Sequence, residues 1–225
     1  MDFINTLMPN FSRLSGELLE CIGQTFTMLA VSGTIAWVLG VAVGVLLVVC
    51  RPHGILENRV LFTIFDRGID LIRSIPFIIL IVLLIPVSRF LVGTGSGVTG
   101  SFVALVAGTV PFFARQIESV LSDIDHGLIE ASQAMGFSPR EIIFSVYLKE
   151  SIPGITRVTM ITFVSLVGIT AIAGAIGAGG LGDFAIRYGY QMGYRDMIWL
   201  TVIIILAIIS VFQFFGNLIV RRSTH

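Results

Sequence analysis

Residues 123–152 hold Asp123, Asp125, His126, Glu130, Arg140, Glu141, Lys149 and Glu150, a run of groups able to do chemistry in water. Their spacing builds no catalytic centre. Asp123 and Asp125 beside His126 read as a helix-start cluster rather than as metal ligands. His53, His126 and His225 all fall outside the apolar spans, so no intramembrane histidine base exists. Thr94-Gly95-Ser96-Gly97 has threonine where a Gly-x-Ser-Gly nucleophile motif needs glycine. A phosphate-binding loop requires Gly-Lys-Ser/Thr, and the single lysine, Lys149, follows Leu148. The chain is therefore not a P-loop ATPase, and energy for any pumping must come through a partner. What the spacing does support is docking. Asp125 caps a short helix through Leu128–Met135, Gly136 suits a left-handed ending, and Ser138-Pro139-Arg140-Glu141 is a capping box with proline at the first helical position. Two short helices with a sharp turn, closed by Ser151 and Pro153, make a compact knob. An ordinary amphipathic loop lying on lipid headgroups would show the same pattern.

The flanking elements are apolar. Hydrophobic residues make up 55% of the chain and charged residues 12%, about half the charge of a typical soluble domain. No Asp, Glu, Lys or Arg occurs between Glu20 and Arg51, Arg73 and Arg89, Arg89 and Arg115, Arg157 and Asp183, or Asp196 and Arg221. A helix needs roughly 20 apolar residues to cross the hydrocarbon core. The pattern predicts an all-α integral membrane protein with five transmembrane helices, at about 22–50, 60–88, 101–122, 153–177 and 196–220. In the second span, Arg67, Asp70 and Arg73 recur every three residues and are expected to pair along one helix face. Gly40 and Gly44 read as a close-packing stripe. Residues 93–101 are a polar turn, and the glycines of 177–182 break the fourth helix. Cys21 and Cys50 lie about 40 Å apart along one helix, beyond disulfide reach.

Basic residues set the orientation. With the N-terminus outside, the cytoplasmic side holds Arg51, Arg59, Arg67, Arg73, Arg115, Arg140, Lys149, Arg157, Arg221 and Arg222, ten against the four of Arg13, Arg89, Arg187 and Arg195 outside. The knob and the C-terminus then face the cytoplasm. Arg13, Glu17 and Glu20 interrupt any secretory signal at the start. Formal net charge is zero, so no nucleic-acid footprint is visible.

The segment Glu130-Ala131-Ser132-x3-Gly136-x9-Val146-x-Leu148 resembles the EAA loop of binding-protein-dependent ABC importers. In that family Glu-Ala-Ala-x3-Gly precedes an Ile-x-Leu-Pro tail; here Ser132 replaces the second alanine and Lys149 stands in the proline position. Arg73-Ser74-Ile75-Pro76-Phe77, Ile85-Pro86, Val92-Gly93-Thr94, Pro111-Phe112-x-Ala114-Arg115, Gly127-Leu128-Ile129-Glu130-Ala131 and Gly177-Ala178-Gly179-Gly180-Leu181-Gly182 resemble, in unbroken order, the permeases of methionine importers.

The resemblance implies a type I ABC importer transmembrane fold, a single domain over 1–225 with core spans at about 20–220 and a cytoplasmic coupling-helix loop at about 123–152. It implies a multi-pass protein of the bacterial cytoplasmic membrane that moves methionine, L- or D-, by alternating access. The expected partners are a second copy of the chain, two ABC ATPase subunits, an extracytoplasmic methionine-binding lipoprotein and the lipid bilayer. It is not itself an enzyme and holds no cofactor; ATP and magnesium belong to the ATPase. Glu130, Ala131, Ser132, Gly136, Phe137 and Ser138 are the expected ATPase-coupling residues. Small polar positions and helix breaks at Ser74, Pro76, Thr109, Pro111, Thr162, Ser165 and Thr170 are the candidate translocation pathway, although packing and bending explain each of them as well. The first, fourth and fifth spans carry no interior charge, which weighs against an ion-coupled carrier. That carrier, or a passive channel for a small amino acid, is the alternative reading; a membrane scaffold is a third.

Overall fold

The computed structural model describes residues 10–223, and its elements are helical throughout. In chain order these are α1 (Phe11–Cys50), α2 (Arg59–Arg73), α3 (Phe77–Leu83), α4 (Ile85–Val92), α5 (Gly97–Ser122), α6 (His126–Ala134), α7 (Pro139–Glu141), α8 (Ile152–Ala173), α9 (Gly180–Phe184) and α10 (Arg195–Ser223). Wider π-helical turns extend α7 over Ile142–Leu148, α8 over Gly174–Ala178 and α9 over Ala185–Gln191. His225 lies outside the described residues.

Four helical stretches among these residues are long and apolar enough to cross a membrane: Phe11–Cys50, Gly97–Ser122, Ile152–Ala178 and Arg195–Arg222. The span expected at 60–88 is instead divided. Pro76 has no N–H to donate and sits in an extended conformation (φ −55°, ψ 134°), so α2 ends at Arg73 and α3 starts afresh. Pro86 sits in the first turn of α4. The α1 helix also begins eleven residues before the predicted start, because its first turns bury Leu14, Leu18 and Cys21 in a core of their own. Polar residues on the other side of those turns hid that apolar stripe from a search for uniformly apolar runs.

The chain packs as two compact units. The first takes residues up to Thr34 with 76–107 and 163–212. Met28, Leu29, Ile81, Leu105 and Leu166 form one core there, and Leu18, Leu181, Phe184 and Met197 another. The rings of Phe163 on α8 and Phe212 on α10 stack with centroids 3.6 Å apart. Asn10 donates its amide to Asp196 at the start of α10, at 3.2 Å.

The second unit takes residues 35–75, 108–162 and those from Gln213 onward. Gly40 and Gly44 pack α1 against α5 as expected. A Cβ at Gly40 would lie 2.5 Å from Phe113 Cδ1, and one at Gly44 would lie 2.6 Å from Ile117 Cβ and 2.9 Å from the Ala114 carbonyl. The pairing expected among Arg67, Asp70 and Arg73 does not form. Asp66 and Asp70 turn instead to Arg115 of α5, which donates to both at 2.9 Å and to Glu118 at 2.7 Å. A guanidinium with several donors satisfies carboxylates from two helices at once, which a neighbour on the same exposed face cannot match.

Candidate functional site

The knob between α5 and α8 is built by local hydrogen bonds that its sequence dictates. Asp125 is the N-cap of α6; its carboxylate accepts the Gly127 N–H at 2.9 Å. At the other end, the Gly136 N–H donates to the Gln133 carbonyl at 2.9 Å and the Phe137 N–H to the Ser132 carbonyl at 3.1 Å. These are the paired bonds of a Schellman ending. Gly136 sits at φ +83° with nothing within 4 Å of where a Cβ would lie. Backbone conformation, not space, requires glycine there.

Ser138 opens the next turn. The Glu141 carboxylate accepts the Ser138 N–H at 2.7 Å, and the Ser138 hydroxyl accepts the Glu141 N–H at 3.4 Å, closing the capping box with Pro139 in the first turn. The hydroxyl and then the backbone N–H of Ser138 hold the Glu141 carboxyl below its usual range.

The knob has two faces. Ile129 of α6 and Ile142, Val146 and Tyr147 beyond α7 are buried on Val48, Phe113, Ile117 and Leu121. Burial raises the Tyr147 phenol above its ordinary pKa. Ser132 belongs to this inner face too: it is buried, and its hydroxyl donates to the Leu128 carbonyl at 2.8 Å. A small side chain is what the site admits, so serine in place of alanine is accommodated by a bond to its own helix. The outer face carries Glu130, Ala131, Met135, Phe137 and Ser138, all exposed. Met135 is 67% exposed and Phe144 68%, which gives the knob protruding apolar side chains beside a free carboxylate. Of the six coupling candidates, five therefore share the exposed surface and Ser132 supports it from behind.

Two contacts, one reaching the knob and one between α2 and α5, were not anticipated from sequence. Arg51, just past α1, donates to Ser122 Oγ at 3.0 Å and approaches His126 Nε2 at 3.4 Å, joining the end of α1 to the first residue of α6. Its only sequence signal is a lone cation bordering an apolar span. The Arg115 cluster is the other; the Asp66/Asp70 spacing of four places both carboxylates on one side of α2, a signal that the reading of Arg67, Asp70 and Arg73 passed over.

The pathway candidates divide between the two units. Ser74, Thr109, Pro111 and Thr162 belong to the second unit, and Pro76, Ser165 and Thr170 to the first. Ser74 donates to the Asp70 carbonyl at 2.8 Å and Thr170 to that of Val167 at 2.7 Å. Thr109 and Thr162 are buried, and their hydroxyls have no hydrogen-bond partner among the described residues. Pro111 lies inside α5, and Ser165 is exposed. No group of three or more His, Cys, Asp or Glu among the described residues is arranged to hold a metal.

The knob offers a capped surface suited to binding, with the exposed apolar side chains of Met135 and Phe144 near the exposed carboxylate of Glu130. Known proteins carry the same chain pattern. A probable D-methionine transport system permease protein, MetI, of Vibrio cholerae is 40% identical over 221 residues, which cover 98% of each chain. The methionine import system permease protein of Bacillus subtilis is 39% identical over 163 residues, 72% of this chain and 73% of that one. A chain in inward-facing structures of the MetNI methionine ABC transporter superposes with a TM-score of 0.91 at 40% identity, over 95% of this chain and 99% of that one. The family of binding-protein-dependent transport system inner membrane components matches residues 36–225, and this chain belongs to it.

Proposed function

We propose that this chain is the permease subunit of an ATP-driven methionine importer of the bacterial cytoplasmic membrane, and that the knob at 123–152 receives the work of ATP hydrolysis. The observation that carries the reading is full-length likeness to a D-methionine permease at 40% identity, coupled with a rigid exposed turn at the matching loop. Two copies of the chain form the translocation unit. Two ATPase subunits bind ATP and magnesium and grip Glu130, Ala131, Met135, Phe137 and Ser138. A methionine-binding lipoprotein delivers solute from outside, on the side of the N-terminus.

Closure of the ATPase pair moves the knobs, and the knob is continuous in sequence with α5 before it and α8 after it. The two access states differ in the contacts made by the knob and by the delivered solute, which is what a ligand-driven switch requires. Thr109, Thr162, Ser165 and Thr170, with the breaks at Ser74, Pro76 and Pro111, line or bend the passage.

The test is uptake of labelled methionine into vesicles holding this chain, its ATPase and its binding protein. Accumulation that needs ATP and all three components supports the importer. Accumulation by vesicles holding this chain alone overturns it in favour of an ion-coupled carrier.

A further inference from the structure

The reversal that ends α8 is held by side chains from another helix. After Ala173 the chain widens over Gly174–Ala178, leaves helical geometry at Ile176 and Gly177, and restarts as α9 with Gly179 as its N-cap. Glycine has no side chain to cap with, so the first N–H groups of α9 need acceptors from elsewhere. They find them on α1: the Gly180 N–H donates to Gln24 Oε1 at 2.7 Å and the Leu181 N–H to Thr25 Oγ1 at 2.8 Å. The fit is close. A Cβ at Gly179 would collide with Gln24 Oε1, and one at Gly180 would lie 2.7 Å from Thr25 Oγ1 and 2.8 Å from Met28 Cε.

Both acceptors are themselves oriented. The Gln24 amide donates to Glu20 Oε1 at 3.0 Å, which aims its oxygen at Gly180. The Thr25 hydroxyl donates to the Cys21 carbonyl at 3.0 Å, which leaves its lone pairs for Leu181. Thr25 is buried, so water cannot replace it, and a bare N–H in such a place is costly.

We propose that Gln24 and Thr25 form a surrogate N-cap for α9, and that they are positioning residues for transport because they fix the turn through which α8 ends. The transport half of this proposal rests on the importer reading above.

The assembled transporter tests it with two readouts: hydrogen exchange of the amides of 179–184, and methionine moved per ATP hydrolysed. Gln24→Leu with Thr25→Val removes both acceptors. Thr25→Ser, combined with the exchange Glu20→Gln and Gln24→Glu, keeps every acceptor and the net charge. The first set is expected to raise exchange at Gly180 and Leu181 about tenfold or more and to cut solute per ATP about tenfold, with ATP hydrolysis retained. The second set is expected to stay within about twofold of the parent. Thr25→Val alone carries the test if the double variant does not assemble. Unchanged exchange without the acceptors overturns the cap, as does equal damage from the acceptor-preserving set. Raised exchange with unchanged solute per ATP overturns the positioning role. A parent complex that moves no methionine defeats the importer reading instead, and exchange still reads the cap.

Discussion

Glu130 and Gly136 act through different physics, although both lie on the exposed part of the knob. Glu130 is a carboxylate in the open; reversing it to lysine leaves the fold of α6 intact and changes only what the surface can bind. Gly136 is a conformational requirement: any other residue at φ +83° costs about 1–2 kcal/mol and strains the Schellman ending. Glu130→Lys is expected to abolish ATP-dependent uptake with unchanged thermal stability. Gly136→Glu should abolish uptake and also lower stability, while both proteins still insert. Membrane fractions, melting curves and uptake assays check the pair, and undiminished uptake by both removes the knob from the mechanism. Arg115 is a structural counterpart. Its guanidinium serves Asp66, Asp70 and Glu118, so Arg115→Ala leaves three carboxylates facing one another. The loss is expected to be roughly 1–3 kcal/mol, since the cluster is partly exposed, and Asp70→Asn in the same protein should recover part of it. Additive losses in the double variant would show that the groups do not interact.

At the scale of elements, α1 shows why one substitution can have opposite signs. Gly16 has nothing within 4 Å of where a Cβ would lie, whereas the same atom at Gly44 would meet Ile117 and the backbone of Ala114. Gly16→Ala should stabilise by about 0.5–1 kcal/mol through helix propensity. Gly44→Ala should destabilise by roughly 1–3 kcal/mol, because backbone cannot move aside. Melting of the purified protein decides it, and equal signs would mean that α1 and α5 do not pack at Gly44. The same contrast explains what could be read in the sequence. The knob was legible because Asp125, Gly136 and the Ser138/Glu141 box act within a few residues of themselves. Helix breaks at Pro76 and Gly177 were legible as breaks, but not how far the second span would divide. Arg115 with Asp66, and Gln24 with Gly180, join residues 49 and 156 apart in sequence. Local spacing can put Asp66 and Asp70 on one face, but it names neither Arg115 nor Gly180 as a partner; such pairs exist only once the helices have packed.

At the scale of the whole molecule, the divided segment decides which side of the membrane the knob occupies. Among the described residues four stretches are long enough to cross alone. If α2 to α4 together also cross, the chain passes five times, and the turn at 93–96 and the knob lie on opposite sides. If that segment returns to the side it entered from, the turn at 93–96 lies where α1 ends and the knob moves to the side of the N-terminus. The excess of basic residues favours crossing, since it gathers Arg51, Arg59, Arg67 and Arg73 with the knob's Arg140 and Lys149. Thiol labelling separates the two arrangements, because both native cysteines, Cys21 and Cys50, are buried and give little background. Ser96 and Ser145 are exposed positions outside the apolar stretches. An impermeant maleimide is expected to react with Ser96→Cys in intact spheroplasts and with Ser145→Cys only in inside-out vesicles. Labelling of Ser145→Cys from outside would place the knob away from any cytoplasmic ATPase, and the coupling mechanism would fall with it, whatever the likeness of the fold.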